Sequence, residues 1–190
     1  MNEYALKHTR PAPKKHAQAI GDDGEDTVAA IHDLPVFAER WHLVRRFARV
    51  QAGIYTEPQG PDFSGWRRGS GRHAEVEVKC VSTGRLAFDR FQPSQVKQLR
   101  ACARDGGVAV VLILLGDHPQ HIAWCAVPWS EIDGPYATWA QWTEEQKRKG
   151  RPLKPETTVD RARARASLSE TVALAWRAEP HRYLARWEAA

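Results

Sequence analysis

The chain has 190 residues, and its 28 lysines and arginines outweigh 23 aspartates and glutamates to give a formal charge of +5 and a pI near 9.3. That length suits one domain with a core of its own and some margin for tails or an oligomer surface, and the positive balance favours a polyanionic partner. The longest apolar run, Val108 to Leu115, is too short to cross a bilayer. The start carries no charged-then-apolar leader, and Cys80, Cys102 and Cys125 are too widely spaced for a disulfide framework or a zinc knuckle. The expectation is a soluble cytoplasmic protein with core thiols, no membrane contact and no small-molecule cofactor.

Residues 1–19 are polar, basic and proline-bearing, and read as a flexible arm in which Arg10, Lys14 and Lys15 are placed to meet a polyanion. Ile20, Val28, Ile31 and Leu34 recur at near-helical spacing, which predicts a first helix carrying Glu25 and ending before Pro35. Trp41 to Tyr55 alternates imperfectly and is read as strand. Pro58, Gly60 and Pro61 mark a turn, followed by Asp62, Phe63, Ser64, Gly65 and Trp66, then a loop holding Arg67, Arg68 and Arg72.

The next segment is a strand from His73 to Val81. With Ala74, Val76, Val78 and Cys80 facing the core of a half-buried strand, period-two alternation gathers Glu75, Glu77 and Lys79 on the opposite face. A set of buried acids of this kind calls for a balancing ion or phosphate.

Pro93 suits the first turn of a helix running through Gln95 and Leu99 to about Asp105, with Gly106 and Gly107 as its stop. Val108 to Leu115 is a continuous β-branched and aliphatic run, expected for a strand covered on both faces of a mixed sheet. A further strand, His121 to Val127, follows the turn at Asp117 to Pro119. This order describes an α/β layer, a central mixed sheet flanked by helices, with the core spanning 20–133. The extension 134–190, rich in Trp and Arg, is expected to pack on that core or on a second subunit, and residues 159–176 are compatible with helix.

These residues resemble the PD-(D/E)xK nuclease superfamily, and within it the RecU-type Holliday junction resolvases. Four blocks match in order. Gly21 with Glu25 four positions on fits the opening helix, and Asp62, Phe63 and Gly65 fit the acidic block. Glu77 and Lys79 fit Glu-x-Lys, and Gln95, Leu99, Gly106 and Gly107 fit the helix and the turn into the apolar strand. Pro180, His181, Arg182, Tyr183 and Leu184 resemble the family's end. Two points depart from the pattern. Glu75 also suits the spacing from Asp62, although only Glu77 has a lysine two residues on. Between Pro35 and Pro61 there is little room for the stalk those resolvases carry.

The resemblance implies a restriction-endonuclease-like core and a metal-dependent endonuclease that resolves four-way DNA junctions. It implies catalytic residues Glu25, Asp62, Glu77, Lys79 and Gln95, and Mg²⁺, with Mn²⁺ able to substitute, on Asp62, Glu77, the Val78 carbonyl and Glu25. Arg10, Lys14, Lys15, Arg67, Arg68 and Arg72 would grip DNA phosphates. A junction offers two equivalent strands, so a homodimer is implied. Plainer readings stand beside these: Glu77 with Lys79 as a cross-strand ion pair, Glu25 as a helix N-terminal charge, and Gln95 as exposed helix surface. At the level of the whole protein the alternatives are another nuclease of this fold, a DNA-binding module without catalysis, or an interaction protein with a fortuitous motif.

Overall fold

The computed structural model describes residues 24–46, 49–51, 54–56, 60–81, 86–115, 123–150, 176–177 and 180–188. Six strands make one mixed sheet: β1 (Trp41–Arg45), β4 (Phe63–Arg67), β5 (His73–Val81), β6 (Val108–Leu115), β7 (Ala123–Pro128) and β8 (Trp176–Arg177), side by side in that order. A separate antiparallel ribbon is formed by β2 (Arg49–Gln51) and β3 (Ile54–Thr56). The helices are α1 (24–32), α2 (Pro35–Ala38), α3 (Pro93–Arg104) and α4 (Trp129–Arg148). All neighbours in the main sheet are antiparallel except β5 and β6. That parallel pair needs a crossover, and α3 supplies it.

The continuous run in β6 is covered on both sides, as its composition requires. Its even-numbered residues Val110, Leu112 and Leu114 join Val28, Phe37, Trp41, Phe63 and Tyr183 in one apolar cluster. The odd-numbered Ala109, Val111 and Ile113 join Leu99, Cys102, Trp129, Ile132 and Tyr136 in the other. The sheet is therefore the middle of three layers, with α1, α2 and the C-terminal residues on one side and α3 and α4 on the other. Ala74, Val76 and Val78 fall in the first cluster as their alternation predicts, with Cys80 packed beside them. The expectation of a half-buried strand needs correction. Glu75 and Glu77 point toward the α3 layer and are only 3% and 0% exposed.

The end signals of α3 behave as read. Pro93 occupies its first turn, Gln92 and Gln95 close a reciprocal cap, and Gly106 leaves the helix at a positive φ of 77°. Gly107 is needed for another reason. A Cβ there would stand 2.6 Å from Cys102 Sγ and 2.9 Å from the His73 carbonyl oxygen.

Three segments depart from expectation. The stretch from Trp41 to Tyr55 is not one strand: β1 joins the sheet and the rest turns back as the β2–β3 ribbon. Trp176 lies in β8, paired with Ala126, rather than at the end of a helix; most of 159–176 falls outside the described residues. Finally α4 runs through the 133/134 boundary, because Trp129, Ile132 and Tyr136 continue one apolar stripe into the second cluster.

The C-terminal residues are tied into the first cluster by a buried polar pair. His32 Nε2 and the Tyr183 hydroxyl share a 2.7 Å hydrogen bond, the imidazole stacks on Phe37 at 4.6 Å, and burial pushes the His32 pKa down to about 3. Arg40 and Trp41 Nε1 both donate to Glu188. Replacing Tyr183 by Phe strips His32 of its partner in an apolar setting, so Tyr183→Phe is expected to cost about 1–3 kcal/mol in a urea titration. The histidine is neutral when folded and has an ordinary pKa when unfolded. Its stabilising contribution is therefore complete above about pH 6.5 and is lost as the pH falls toward 3; a pH series of such titrations checks the sign.

Candidate functional site

The site is a consequence of strand register. β4 pairs with β5 so that Phe63 faces Val76, and β1 pairs with β4 so that Arg45 faces Phe63. One step further out, Arg46 just after β1 and Asp62 just before β4 lie alongside Glu77 in the middle of β5. The Asp62 carbonyl accepts the Arg46 N–H at 2.8 Å, and its carboxylate Oδ2 accepts the Val78 N–H at 2.7 Å. Gly60 makes the entry possible. Its φ is 123°, and a Cβ there would meet Gln98 Oε1 at 2.2 Å and Arg46 Nη1 at 2.5 Å.

Lys79, two residues along β5, donates to Glu77 Oε1, and its ammonium lies 5.4 Å from the Phe91 ring centre. Glu77 Oε2 is buried with no hydrogen-bond partner. Burial lifts the Glu77 carboxyl to about pKa 8, with the Asp62 charge adding to the rise and Lys79 opposing it. Burial, followed by the Glu25 charge, likewise lifts Asp62 to about 6, against the Val78 N–H, Lys79 and Arg45. Without a metal, one lysine is therefore not enough to hold both acids ionised at neutral pH. A hard divalent cation would satisfy the orphaned oxygen and offset the buried charge, so the donor set fits such an ion. Among the described residues no group of three His, Cys, Asp or Glu side chains is gathered to hold a metal. Asp62 and Glu77 would have to be completed by a backbone oxygen such as that of Val78, or by water.

Glu25 comes close enough to act electrostatically on both acids. Its carboxylate is already engaged, accepting from Arg45 Nη2 at 2.8 Å and Nε at 3.2 Å, while Arg45 also binds Asp26. The helix reaches the site because Gly24 has no side chain: a Cβ would fall 2.1 Å from Cys80 Sγ. Gln95 is buried rather than exposed, and its Oε1 accepts the Gln92 N–H at 2.9 Å, capping α3. The glutamine that reaches the cluster is Gln98, one turn on, which accepts from Arg46 Nη1 at 2.6 Å.

Glu75 and Glu77 separate clearly. Glu75 Oε1 accepts from Arg46 at 2.8 Å and Ser64 at 3.1 Å, with His73 Nε2 also at 3.1 Å. Glu77 instead faces Asp62 and Lys79, which favours it as the second acid.

The loop arginines lie elsewhere. The hairpin that joins β4 to β5 turns at its far end, and five residues of strand separate Arg67 from Asp62 and Arg72 from Glu77, about 16 Å. Arg68 Nε donates to the Ala38 carbonyl at 2.7 Å, and Arg72 Nε to that of Gly106 at 2.9 Å. Arg10, Lys14 and Lys15 lie outside the described residues. The cations at the acid end are Arg45, Arg46 and Lys79. The sequence signal for the first two is a charged doublet interrupting an apolar strand, whose members alternation must send to opposite faces.

No protein-family model matches the chain, and no curated protein matches it.

Because Asp62 and Glu77 take up protons more readily folded than unfolded, each destabilises the metal-free protein once it ionises. Above about pH 6.5, where the His32 contribution is already complete, stability in EDTA is expected to fall as the pH rises to about 8, by on the order of 2 kcal/mol. Glu77→Gln is expected to flatten that fall and to melt above the native chain at pH 8. Mg²⁺ or Mn²⁺ is expected to raise the melting temperature of the native chain but not of Glu77→Gln, as read by differential scanning fluorimetry.

Proposed function

We propose that the protein is a divalent-metal-dependent DNA endonuclease of the PD-(D/E)xK type, with a restriction-endonuclease-like core, acting on branched DNA and foremost on four-way junctions. The observation that carries this reading is the meeting of Asp62, Glu77 and Lys79 where the start of β4 adjoins the middle of β5, with two buried carboxylates beside a single lysine and one Glu77 oxygen left without a partner. Asp62, Glu77 and the Val78 carbonyl would hold Mg²⁺ or Mn²⁺, which brings positive charge to a phosphodiester and acidifies water. Lys79 is placed to orient the attacking water and to offset negative charge that grows on the phosphate oxygens. Glu25 with Arg45 sets the charge on the α1 side, and Arg46 with Gln98 fixes the turn before Asp62. The basic excess of the chain supports a polyanionic substrate whose binding is salt-sensitive and largely blind to sequence. Symmetric nicking of a junction would require two copies about a twofold axis.

A second reading has one observation in its favour. With Glu25 taken up by Arg45 and no group of three metal-ligating side chains among the described residues, the fold could bind DNA without cutting it.

The test is cleavage of a labelled four-way junction beside matched duplex and flap, in Mg²⁺ or EDTA. Paired symmetric nicks confined to the junction and abolished by EDTA are expected. Lys79→Ala is expected to slow cutting by about 10²-fold or more. Asp62→Asn, which keeps an acceptor for the Val78 N–H, is expected to abolish cutting while the protein stays folded and bound. Equal cutting of all three substrates would remove the junction preference, and tight binding with no cutting in either metal would establish the second reading.

A further inference from the structure

The face of the sheet that carries Glu75 and Glu77 is covered unevenly. α3 packs on β5 and β6, and α4 on β6 and β7. Farther along β1 and β4 no described helix lies over the same face, where Trp66 is 47% and Val44 53% exposed. Register sorts this open area into rows across β1, β4 and β5. His42, Trp66 and His73 form one row, and Val44, Ser64 and Glu75 the next. The third row, one step beyond the paired residues of β1 and β4, is Arg46, Asp62 and Glu77. The imidazole of His42 lies 4.3 Å from the Trp66 ring centre, so the first row is a strip of three rings across three strands. It stands about 13 Å from the acids, the rise of about four stacked nucleotides and fewer if the strand is drawn out.

We propose that this open face is a base-stacking subsite for an unpaired, single-stranded stretch of DNA, with Trp66 as its stacking surface and His42 and His73 beside it. The inference rests on the reading of the protein as DNA-binding, but not on its cutting DNA.

The electrical character of the face favours this occupant. Its acids on the three strands, Asp62, Glu75 and Glu77, are all buried, and Glu75 is already bonded to Arg46. The charges left toward solvent are cationic: Arg46 is 28% exposed beside the acid row, and Arg68 and Arg72 bound the ring row where the hairpin turns. Phosphates would meet arginine at both ends, and bases would meet rings between them. A second copy fits poorly. A twofold contact would press two copies of the same cation-bearing patch together, and the face interleaves His42, Ser64 and His73 with its apolar groups, where a permanent dimer wants continuous apolar surface. An unpaired stretch is preferred over intact duplex because ring stacking needs a base whose face is accessible.

Fluorescence anisotropy tests the proposal, with Ca²⁺ in place of Mg²⁺ and three labelled probes: a short oligothymidylate, an abasic backbone of the same length, and a blunt duplex. Trp66→Ala is expected to weaken oligothymidylate binding about tenfold, and Trp66→Phe to recover most of the loss. Both variants are expected to bind the abasic strand and the duplex as the native chain does. Circular dichroism serves as the folding control, and truncation of a half-exposed side chain is expected to leave it unchanged. Unchanged oligothymidylate binding by Trp66→Ala, equal weakening on the abasic strand, or failure of the native chain to bind any probe would each overturn the subsite. The two readings fail separately. A chain that cuts junctions yet ignores the Trp66 change loses only the subsite. A chain with Trp66-dependent stacking that cuts nothing in any metal loses only the nuclease.

Discussion

Everything distinctive in this molecule depends on the pairing of Phe63 with Val76. That register sets Asp62, just before β4, against Glu77 in the middle of β5, and it forces two carboxylates into a buried region that resists charge. A slip of one residue would send Glu77 to the opposite face, among Val76 and Val78, and would dismantle the centre without removing any residue from it. The apolar layers prevent the slip. β6 is buried from Val108 to Leu114, and its parallel register with β5 fixes Glu77 beside Val111.

Around that pair the cations are divided so that each acid has a separate partner. Arg46 serves Glu75, Arg45 serves Glu25, and Lys79 serves Glu77. Asp62 takes a backbone N–H. The division is a matter of alternation. Arg45 and Arg46 are neighbours in sequence but point to opposite sides of the sheet, so one strand end supplies a counter-charge to α1 and another to the α3 side. Lys79 is the weakest of these arrangements, since Glu77 is fully buried and still titrates high. The residual demand for positive charge falls at one place, between Asp62 and Glu77.

Much of the fold was legible in the chain. The limits of β5 and β6 follow from alternation in one and an unbroken aliphatic run in the other, and those of α3 from Pro93 and Gly106. What alternation could not convey was the second covering layer. It assigned Glu75 and Glu77 to one face, but whether α3 lay over that face is a tertiary fact. The arginine loop is different, because its place was legible. A hairpin that enters at Asp62 and leaves at Glu77 must turn at its other end, which sets Arg67, Arg68 and Arg72 apart from the acids. Gln95 illustrates a third limit. Its position three residues after Gln92 suits a cap as well as a functional role, and the capping geometry in the structure accounts for it.

The C-terminal residues bear on the site through packing rather than contact. Tyr183 holds His32, and the His32 imidazole meets the Phe63 ring edge-on at 4.6 Å. Phe63 is the first residue of β4 and the immediate neighbour of Asp62. The ring cannot move far in a close-packed layer without moving its backbone, and the backbone carries the Asp62 carbonyl that receives Arg46 and the carboxylate that receives Val78. Residues more than a hundred positions apart in the chain are thus joined in a single packed path ending at the acid pair. For that reason residues 180–188 are better regarded as part of the layer that sets the register than as an appendage to a finished core.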